Sequence, residues 1–187
     1  MNSPWPSLPE GITSFGADVC DDFVYLYGGH RGRAHEYYVT GQSNQLRRLK
    51  LSEPQAWEEL SSGPRLQGLA LVAHDGKLYR VGGFSARNEQ GEENDLWSVA
   101  DVARFDPQSG AWEELPAMPT PRPSHDAAVV GDRLYVVGGW TLAGEQESVW
   151  HKTALMLDLT HDPLVCPALP APPFPRLPLA IEPVARK

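Results

Sequence analysis

The sequence predicts an all-β fold made of repeated four-stranded sheets, on three observations. The 187 residues include 18 Pro and 17 Gly, and only 21% are charged, a composition that disfavours long helices and coiled coils. A double glycine ends an apolar segment at spacings of 54 and 56 residues, at 28–29, 82–83 and 138–139. A Trp-x-x-Leu pattern recurs at spacings of 52 and 55 residues, beginning at Trp5, Trp57 and Trp112. Two different motifs thus keep one period, which indicates a repeat protein.

The second repeat shows its four predicted strands most clearly. Residues 68–73 form an apolar strand, and 77–81 follow it after a His-Asp-Gly turn. The third and fourth strands, 99–105 and 111–115, are separated by Asp-Pro-Gln-Ser-Gly, in which Pro and Gly suit a tight turn. The same pattern predicts strands at 15–19, 23–27, 46–51 and 56–60 in the first repeat, and at 126–130, 134–137 and 155–159 in the third.

Residue types at fixed places in each repeat explain why such sheets would stack. Sheets buried on both faces need β-branched and aromatic residues at their middle. The double glycine ends the second strand, where close approach of a neighbouring sheet favours residues without a Cβ. The Trp of the fourth strand and the Tyr of the second are large enough to fill the space where adjacent sheets diverge.

These motifs resemble the kelch repeat. The resemblance rests on Leu-Tyr-Val-Val-Gly-Gly at 134–139, Phe-Asp-Pro at 105–107 and Trp-Glu-Glu-Leu-Pro at 112–116, and it covers residues 5 to about 177. It implies blades of a β-propeller. The chain departs from the pattern at three places: the Trp position of the third repeat falls on Pro163 or Leu164, the His position of the second holds Gly68 or Leu69, and Arg80 interrupts an apolar strand.

We therefore expect one kelch-repeat domain over 1–187, with three four-stranded antiparallel blades and a partial blade strand at each end. The blades occupy 12–60, 66–116 and 122–170, with an unpaired fourth strand at 5–9 and the start of a further blade at 174–187. Propellers have at least four blades, so this incomplete propeller resembles half of a six- or seven-bladed ring. Because an isolated half would expose apolar faces and strand edges, two interpretations stay open: a piece of a longer kelch protein, or two copies that associate into a ring.

Charge and composition disfavour several functions. Lys and Arg number 16 against 24 Asp and Glu, a net charge of −8, so the chain lacks the basic surplus that nucleic-acid binding requires. No stretch approaches the roughly 20 apolar residues of a membrane span, and the N-terminus lacks signal-peptide features, so we expect a cytoplasmic protein. Cys20 and Cys166 have no metal-site spacing. The sequence fixes no third ligand to join His30, His35 and Glu36, so no metal or cofactor is expected.

A long loop follows each double glycine, at 30–44, 84–98 and 140–152. The functional residues of a propeller lie in such loops, because the strand residues pack against neighbouring sheets. In kelch proteins that bind peptides, the residues just after the double glycine and those leading into each blade line the pocket around the axis. Carried onto this chain, the resemblance nominates a partner-binding set: His30, Arg31, Arg65, Phe84, Ser85, Arg122, Ser124, Trp140 and Thr141. Phe84 and Trp140 could instead pack against the next blade, and the arginines could brace loops.

The expected function is a kelch-type binding or scaffold module that presents long loops to a protein, peptide or glycan partner. The alternative is a sugar-acting enzyme resembling kelch sialic-acid mutarotases, which would use pocket Arg and His side chains without metal. Catalytic motifs such as Gly-x-Ser-x-Gly or His-Glu-x-x-His are absent from the sequence, and no catalytic residue is nominated, so binding is expected over catalysis. Convergence of Arg31, Arg65, Arg122 and His30 into one pocket would favour a small ligand, whereas a broad array would favour a protein partner.

Overall fold

The computed structural model describes residues 5–161 and 166–170, and these residues confirm the all-β prediction. They form three antiparallel four-stranded sheets. The first contains β1 (Gly16–Cys20), β2 (Phe23–Tyr27), β3 (Gln45–Lys50) and β4 (Glu58–Ser62). The second contains β5 (Ala70–His74), β6 (Lys77–Val81), β9 (Val102–Asp106) and β10 (Ala111–Leu115). The third contains β11 (His125–Val130), β12 (Arg133–Gly138), β15 (Ala154–Asp158) and β16 (Ala168–Leu169).

The two long loops of the second and third repeats contain short hairpins of their own. These pair β7 (Phe84–Ala86) with β8 (Leu96–Ser98), and β13 (Trp140–Thr141) with β14 (Val149–Trp150). The first loop instead holds a short 3-10 turn, Val39–Gly41. Among the residues that the structure describes, no helix is long and apolar enough to cross a membrane.

Residues 5–9 pair with no described strand, so the unpaired fourth strand expected there stays a prediction. A fourth strand needs a third strand beside it, and none of the described strands lies there. The segment is held differently: Trp57 Nε1 donates a hydrogen bond of 3.2 Å to the Pro6 carbonyl oxygen, and Glu10 pairs with Arg47 at 2.7 Å. The Trp position at 163 or 164 and the predicted start of a further blade at 174–187 lie outside the described residues.

The core lies between consecutive sheets. Tyr25 and Leu71 belong to one buried cluster, which joins the first sheet to the second, and Val81 and Leu134 belong to another, which joins the second to the third. The double glycine allows this approach: a Cβ on Gly82, which has φ of 56°, would lie 2.5 Å from a backbone carbonyl oxygen of the next repeat.

Arg80 interrupts an apolar strand because it joins the first two sheets. Its guanidinium carbon lies 5.2 Å from the ring centre of Tyr27 and 4.9 Å from that of Trp112. The guanidinium donates to the Tyr27 hydroxyl at 3.2 Å and to the Glu114 carboxylate at 3.3 Å. The side chain is 1% exposed, so a buried cation is stabilised by two aromatic faces and one carboxylate at the surface.

Candidate functional site on the loop face

The antiparallel order of the strands places the long loops at one end of all three sheets. We call this end the loop face and define on it a first loop (30–44), a second loop (84–98) and a third loop (140–152). The segments that lead from one sheet into the next reach the same end, because a fourth strand runs antiparallel to the third. The tight turns at 21–22, 75–76 and 131–132 lie at the opposite end.

Buried Gln42 ties the first loop to the second. Its side-chain amide donates to the Phe84 carbonyl oxygen at 3.2 Å and accepts from the Ala86 backbone N–H at 2.7 Å. The backbone carbonyl oxygen of Gln42 accepts a 2.6 Å hydrogen bond from the Arg65 guanidinium. Gln42 is 0% exposed, and a buried amide satisfied in this way fixes the relative position of two loops.

Asn88 makes a second link between the same loops. Its Nδ2 donates to the Tyr37 carbonyl oxygen at 2.7 Å, and its backbone carbonyl oxygen accepts from the Val39 backbone N–H at 3.0 Å. Its Oδ1 accepts from the Asp95 backbone N–H at 3.0 Å across the second loop. Asn88 therefore shapes the second loop while it holds the first.

The second and third loops are joined by a similar set of contacts. The Ser98 backbone N–H donates to the Leu142 carbonyl oxygen at 3.0 Å, and Ser98 Oγ accepts from the Leu142 backbone N–H at 2.7 Å. Trp97 forms a β-bridge with Ala143. The three loops thus form one hydrogen-bonded surface across the three sheets.

Two open grooves lie between consecutive loops on this surface. The first groove, between the first and second loops, has a volume of about 650 Å³, and its lining includes Arg33, His35, Tyr37, Tyr38, Glu92 and Asn94. The second groove, between the second and third loops, has a volume of about 490 Å³, and its lining includes Glu93, Asp95, Trp97, Glu145 and Gln146. Both offer aromatic rings beside charged groups, a combination that suits partner recognition.

The predicted residues of the first loop support it rather than line a groove. His30 is buried, and its Nε2 donates to the Arg33 carbonyl oxygen at 2.8 Å. Arg31 pairs with Glu10 at 3.1 Å. The backbone of these two residues pairs with 41–42, where the Arg65 side chain donates to the Gln42 backbone carbonyl oxygen.

Arg122 lies apart from that group, within the third repeat. It is 0% exposed and donates to the carbonyl oxygens of Gly138 (3.1 Å) and Thr153 (2.6 Å) and to Thr153 Oγ1 (2.7 Å). Burial lowers the pKa of this guanidinium. Its hydrogen bonds brace the chain that enters the third sheet, and the four residues Arg31, Arg65, Arg122 and His30 do not meet in one pocket.

The other nominated residues occupy loop contacts of several kinds. Phe84 is buried, and its ring centre lies 5.8 Å from that of Tyr37 in the preceding loop. Trp140 lies 5.0 Å from Trp150 across the third-loop hairpin. The remaining three are Ser85, half-buried in β7; Ser124, whose backbone N–H donates to the Gly68 carbonyl oxygen at 2.7 Å; and Thr141, whose Oγ1 lies 2.8 Å from His151 Nε2. Their role in binding a partner stays a prediction.

His125 is neutral at physiological pH. It is 7% exposed, and Nδ1 donates to the Arg122 carbonyl oxygen at 2.9 Å. Burial lowers its pKa to about 4, and the nearby Arg122 charge acts in the same direction. Burial also lowers the pKa of His151. His125 therefore lacks the near-neutral pKa that suits a general acid or base.

The sequence prediction left the side chains that build the first groove out of the partner-binding set, and it considered His35 only as a metal ligand. His35, Tyr37 and Tyr38 follow the nominated His30 and Arg31 by only a few residues, and the adjacent tyrosines in a polar loop were the available signal. Gln42 and Asn88 carried no such signal, because single amides in a loop do not indicate burial. Within the described ranges, no group of three His, Cys, Asp or Glu side chains is placed to hold a metal ion.

The three stacked sheets, their double glycines and the loop face define a repeat protein of the β-propeller class. A family model described as Kelch motif matches residues 65–119, and the solved structure titled "Structure of YjhT" is similar in fold, with a TM-score of 0.71 and 18% identity over 92% of this chain and 55% of that chain. The chain is a kelch-repeat protein.

The proteins to which the chain is similar in sequence include one named as an enzyme and others without an activity in their names. N-acetylneuraminate epimerase from Haemophilus influenzae (strain PittEE) is 34% identical over 144 residues, which cover 74% of this chain and 34% of that protein. Kelch-like protein 33 from Homo sapiens is 33% identical over 139 residues, which cover 72% of this chain and 23% of that protein. Beta-scruin from Limulus polyphemus is 25% identical over 139 residues, which cover 73% of this chain and 14% of that protein. The chain thus spans about a third or less of the length of these relatives.

Proposed function

We propose that the chain is a binding module whose loop face receives a polypeptide partner. The observation that carries the proposal is the pair of open grooves, about 650 and 490 Å³, side by side between three hydrogen-bonded loops. An extended segment of a partner could cross both grooves, whereas a small ligand would need one enclosed site. The separation of Arg122 from Arg31 and Arg65 also favours a broad array.

The linings of the two grooves supply the means of recognition. Tyr37 and Tyr38 in the first groove and Trp97 in the second provide large, rigid aromatic surfaces, which dominate protein interfaces. Charged groups beside them, such as Arg33 and Glu92, would set the register of a bound segment. The buried amides beneath the loops keep the surface preorganised, which lowers the entropic cost of binding.

Selection of a random phage-displayed peptide library on the full chain tests this function. Enriched peptides should lose at least about tenfold in affinity when the first groove is altered by Glu92→Ala and His35→Asn; Asn is chosen because His35 has φ of 66°. Glu53→Ala, at the opposite end of the first sheet, is the matched control. Selected peptides that bind the groove variants and the control alike would contradict the proposal.

A second candidate function is sugar chemistry, favoured by the 34% identity to a protein named N-acetylneuraminate epimerase. The first groove also holds hydroxyl, guanidinium, imidazole and carboxylate groups that hydrogen-bond sugars. NMR exchange spectroscopy on N-acetylneuraminate, with and without the chain, tests it. Faster interconversion of sugar forms that the groove variants abolish would favour this function, and unchanged exchange would reject it.

A further inference from the structure

At each step along the chain, a loop contacts the same part of the loop that follows it. The first loop uses residues 39–42 to hold the beginning of the second, and the second uses Trp97 and Ser98 to hold the beginning of the third. The residues that are held lie at equivalent positions in the two loops. They are 86–88 in the second loop and 142–144 in the third, the third to fifth residues after the double glycine in each case. Each loop therefore has one side that receives a neighbour and one side that holds the next.

Burial shows where this series is open. Ala86 and Asn88, on the receiving side of the second loop, are each 6% exposed, and residues 142–144 are half-buried. The equivalent residues of the first loop, 32–34, are all exposed, and Gly32 and Arg33 border the first groove. Within the described ranges, no loop holds residues 32–34 by the inter-loop hydrogen bonds that hold 86–88 and 142–144.

The third loop is open on its holding side. Trp150 pairs with Trp140 as Ser98 pairs with Phe84, so Val149 and Trp150 occupy the positions of Trp97 and Ser98. Val149 is 60% exposed and Trp150 is 51% exposed. Large apolar side chains exposed together in this way indicate an interaction surface.

Charge makes the two open sides complementary. Arg33, on the receiving side of the first loop, has a side chain that is 87% exposed, and its contact with Glu36 at 3.7 Å is a weak surface pair. Glu145 and Glu147 are exposed at the tip of the third loop, just before Val149. Opposite charges beside an apolar contact would set the register of association.

We propose that Val149 and Trp150 of the third loop dock on residues 32–34 of the first loop in a second copy of this chain. The contact continues, between copies, the loop-to-loop interface that the chain already makes twice within itself. It joins different surfaces, and such contacts form a closed ring when the rotation between copies allows it. Two copies would contribute six of the described sheets, a number within the range of closed propellers.

Sedimentation velocity of the full chain, with charge variants of the two surfaces, tests the proposal. The wild-type chain should form a dimer, and Arg33→Glu should raise its dissociation constant at least about tenfold. The double change Glu145→Lys and Glu147→Lys should have a similar effect, because it places like charges at the same contact. Arg133→Glu, at an exposed position on the opposite end of the third sheet, is the matched control and should leave the dimer unchanged.

Mixing the two charge variants gives the sharpest result. In a mixed pair, one contact is wild type and the other has both charges reversed, so the mixture should regain the dimer that each variant has lost. Recovery also shows that both variants are folded. A monomeric wild-type chain at all concentrations, a dimer that neither variant weakens, or a mixture that stays monomeric would overturn the proposal.

Discussion

Replacement of Arg80 by alanine tests the contact between the first two sheets. The guanidinium lies within 5.2 Å of two aromatic ring centres, Tyr27 and Trp112, and desolvated cation–π contacts contribute about 1–2 kcal/mol each. Hydrogen bonds to the Tyr27 hydroxyl and the Glu114 carboxylate add about 1–3 kcal/mol. The truncated side chain would also leave a cavity. We therefore expect Arg80→Ala to lower the free energy of unfolding by about 4 kcal/mol.

Urea denaturation followed by tryptophan fluorescence measures this loss, because Trp112 lies in the contact. Arg104→Ala is the control on the adjacent strand: its guanidinium pairs with Glu113 near the surface, so its loss should cost under about 1 kcal/mol. If both variants lose similar amounts, Arg80 does not hold the sheets together in the way described. Replacement of Arg80 by a well-packed apolar residue could cost much less, since buried charges carry a desolvation penalty.

Two further stability predictions follow. Burial holds the pKa of His125 at about 4, below the pKa of ~6.5 that a histidine has in an unfolded chain. The unfolded state therefore takes up the proton first as the pH falls. Acidification from about pH 6.5 to about pH 4 should lower the free energy of unfolding, measured by urea titration, by up to about 3 kcal/mol. His125→Gln should reduce that pH dependence, and an unchanged dependence would count against the buried neutral histidine. Gly82→Ala should cost more than about 2 kcal/mol, because its Cβ would meet a carbonyl oxygen at 2.5 Å, whereas Gly76→Ala shares a positive φ but has nothing within 4 Å and should cost about 1 kcal/mol. Equal thermal destabilisation by the two glycine changes would refute the close approach at Gly82.

The arrangement of strands could be predicted from the sequence because its causes are local and repeated. The period of the double glycine located β2, β6 and β12, and the turn at 106–110 located β10 at the observed residues. The short hairpins of the second and third loops were missed, since strands of two or three residues are too short to show an alternating pattern.

The candidate site was harder to predict because burial in loops depends on distant partners. Position after the double glycine placed His30 and Phe84 on the loop face, but only the fold shows that both are buried beneath its surface. Arg122 has the sequence context of a binding residue, yet the Thr153 carbonyl oxygen, 31 residues away, engages its guanidinium. Arg80 interrupts an apolar strand, and its partner Trp112 lies beside it only because β6 pairs with β9 and β9 pairs with β10.

Hydrogen exchange on the chain with and without a selected peptide most directly tests whether the loop face is the binding surface. The peptide should slow exchange of backbone amides in 30–44 and 84–98, which border the first groove, and in 140–152 when the segment reaches the second. The turns at 21–22, 75–76 and 131–132, at the opposite end of the sheets, should exchange as they do in the free chain. Protection centred on those turns, with the loops unaffected, would contradict the assignment of the loop face as the recognition surface.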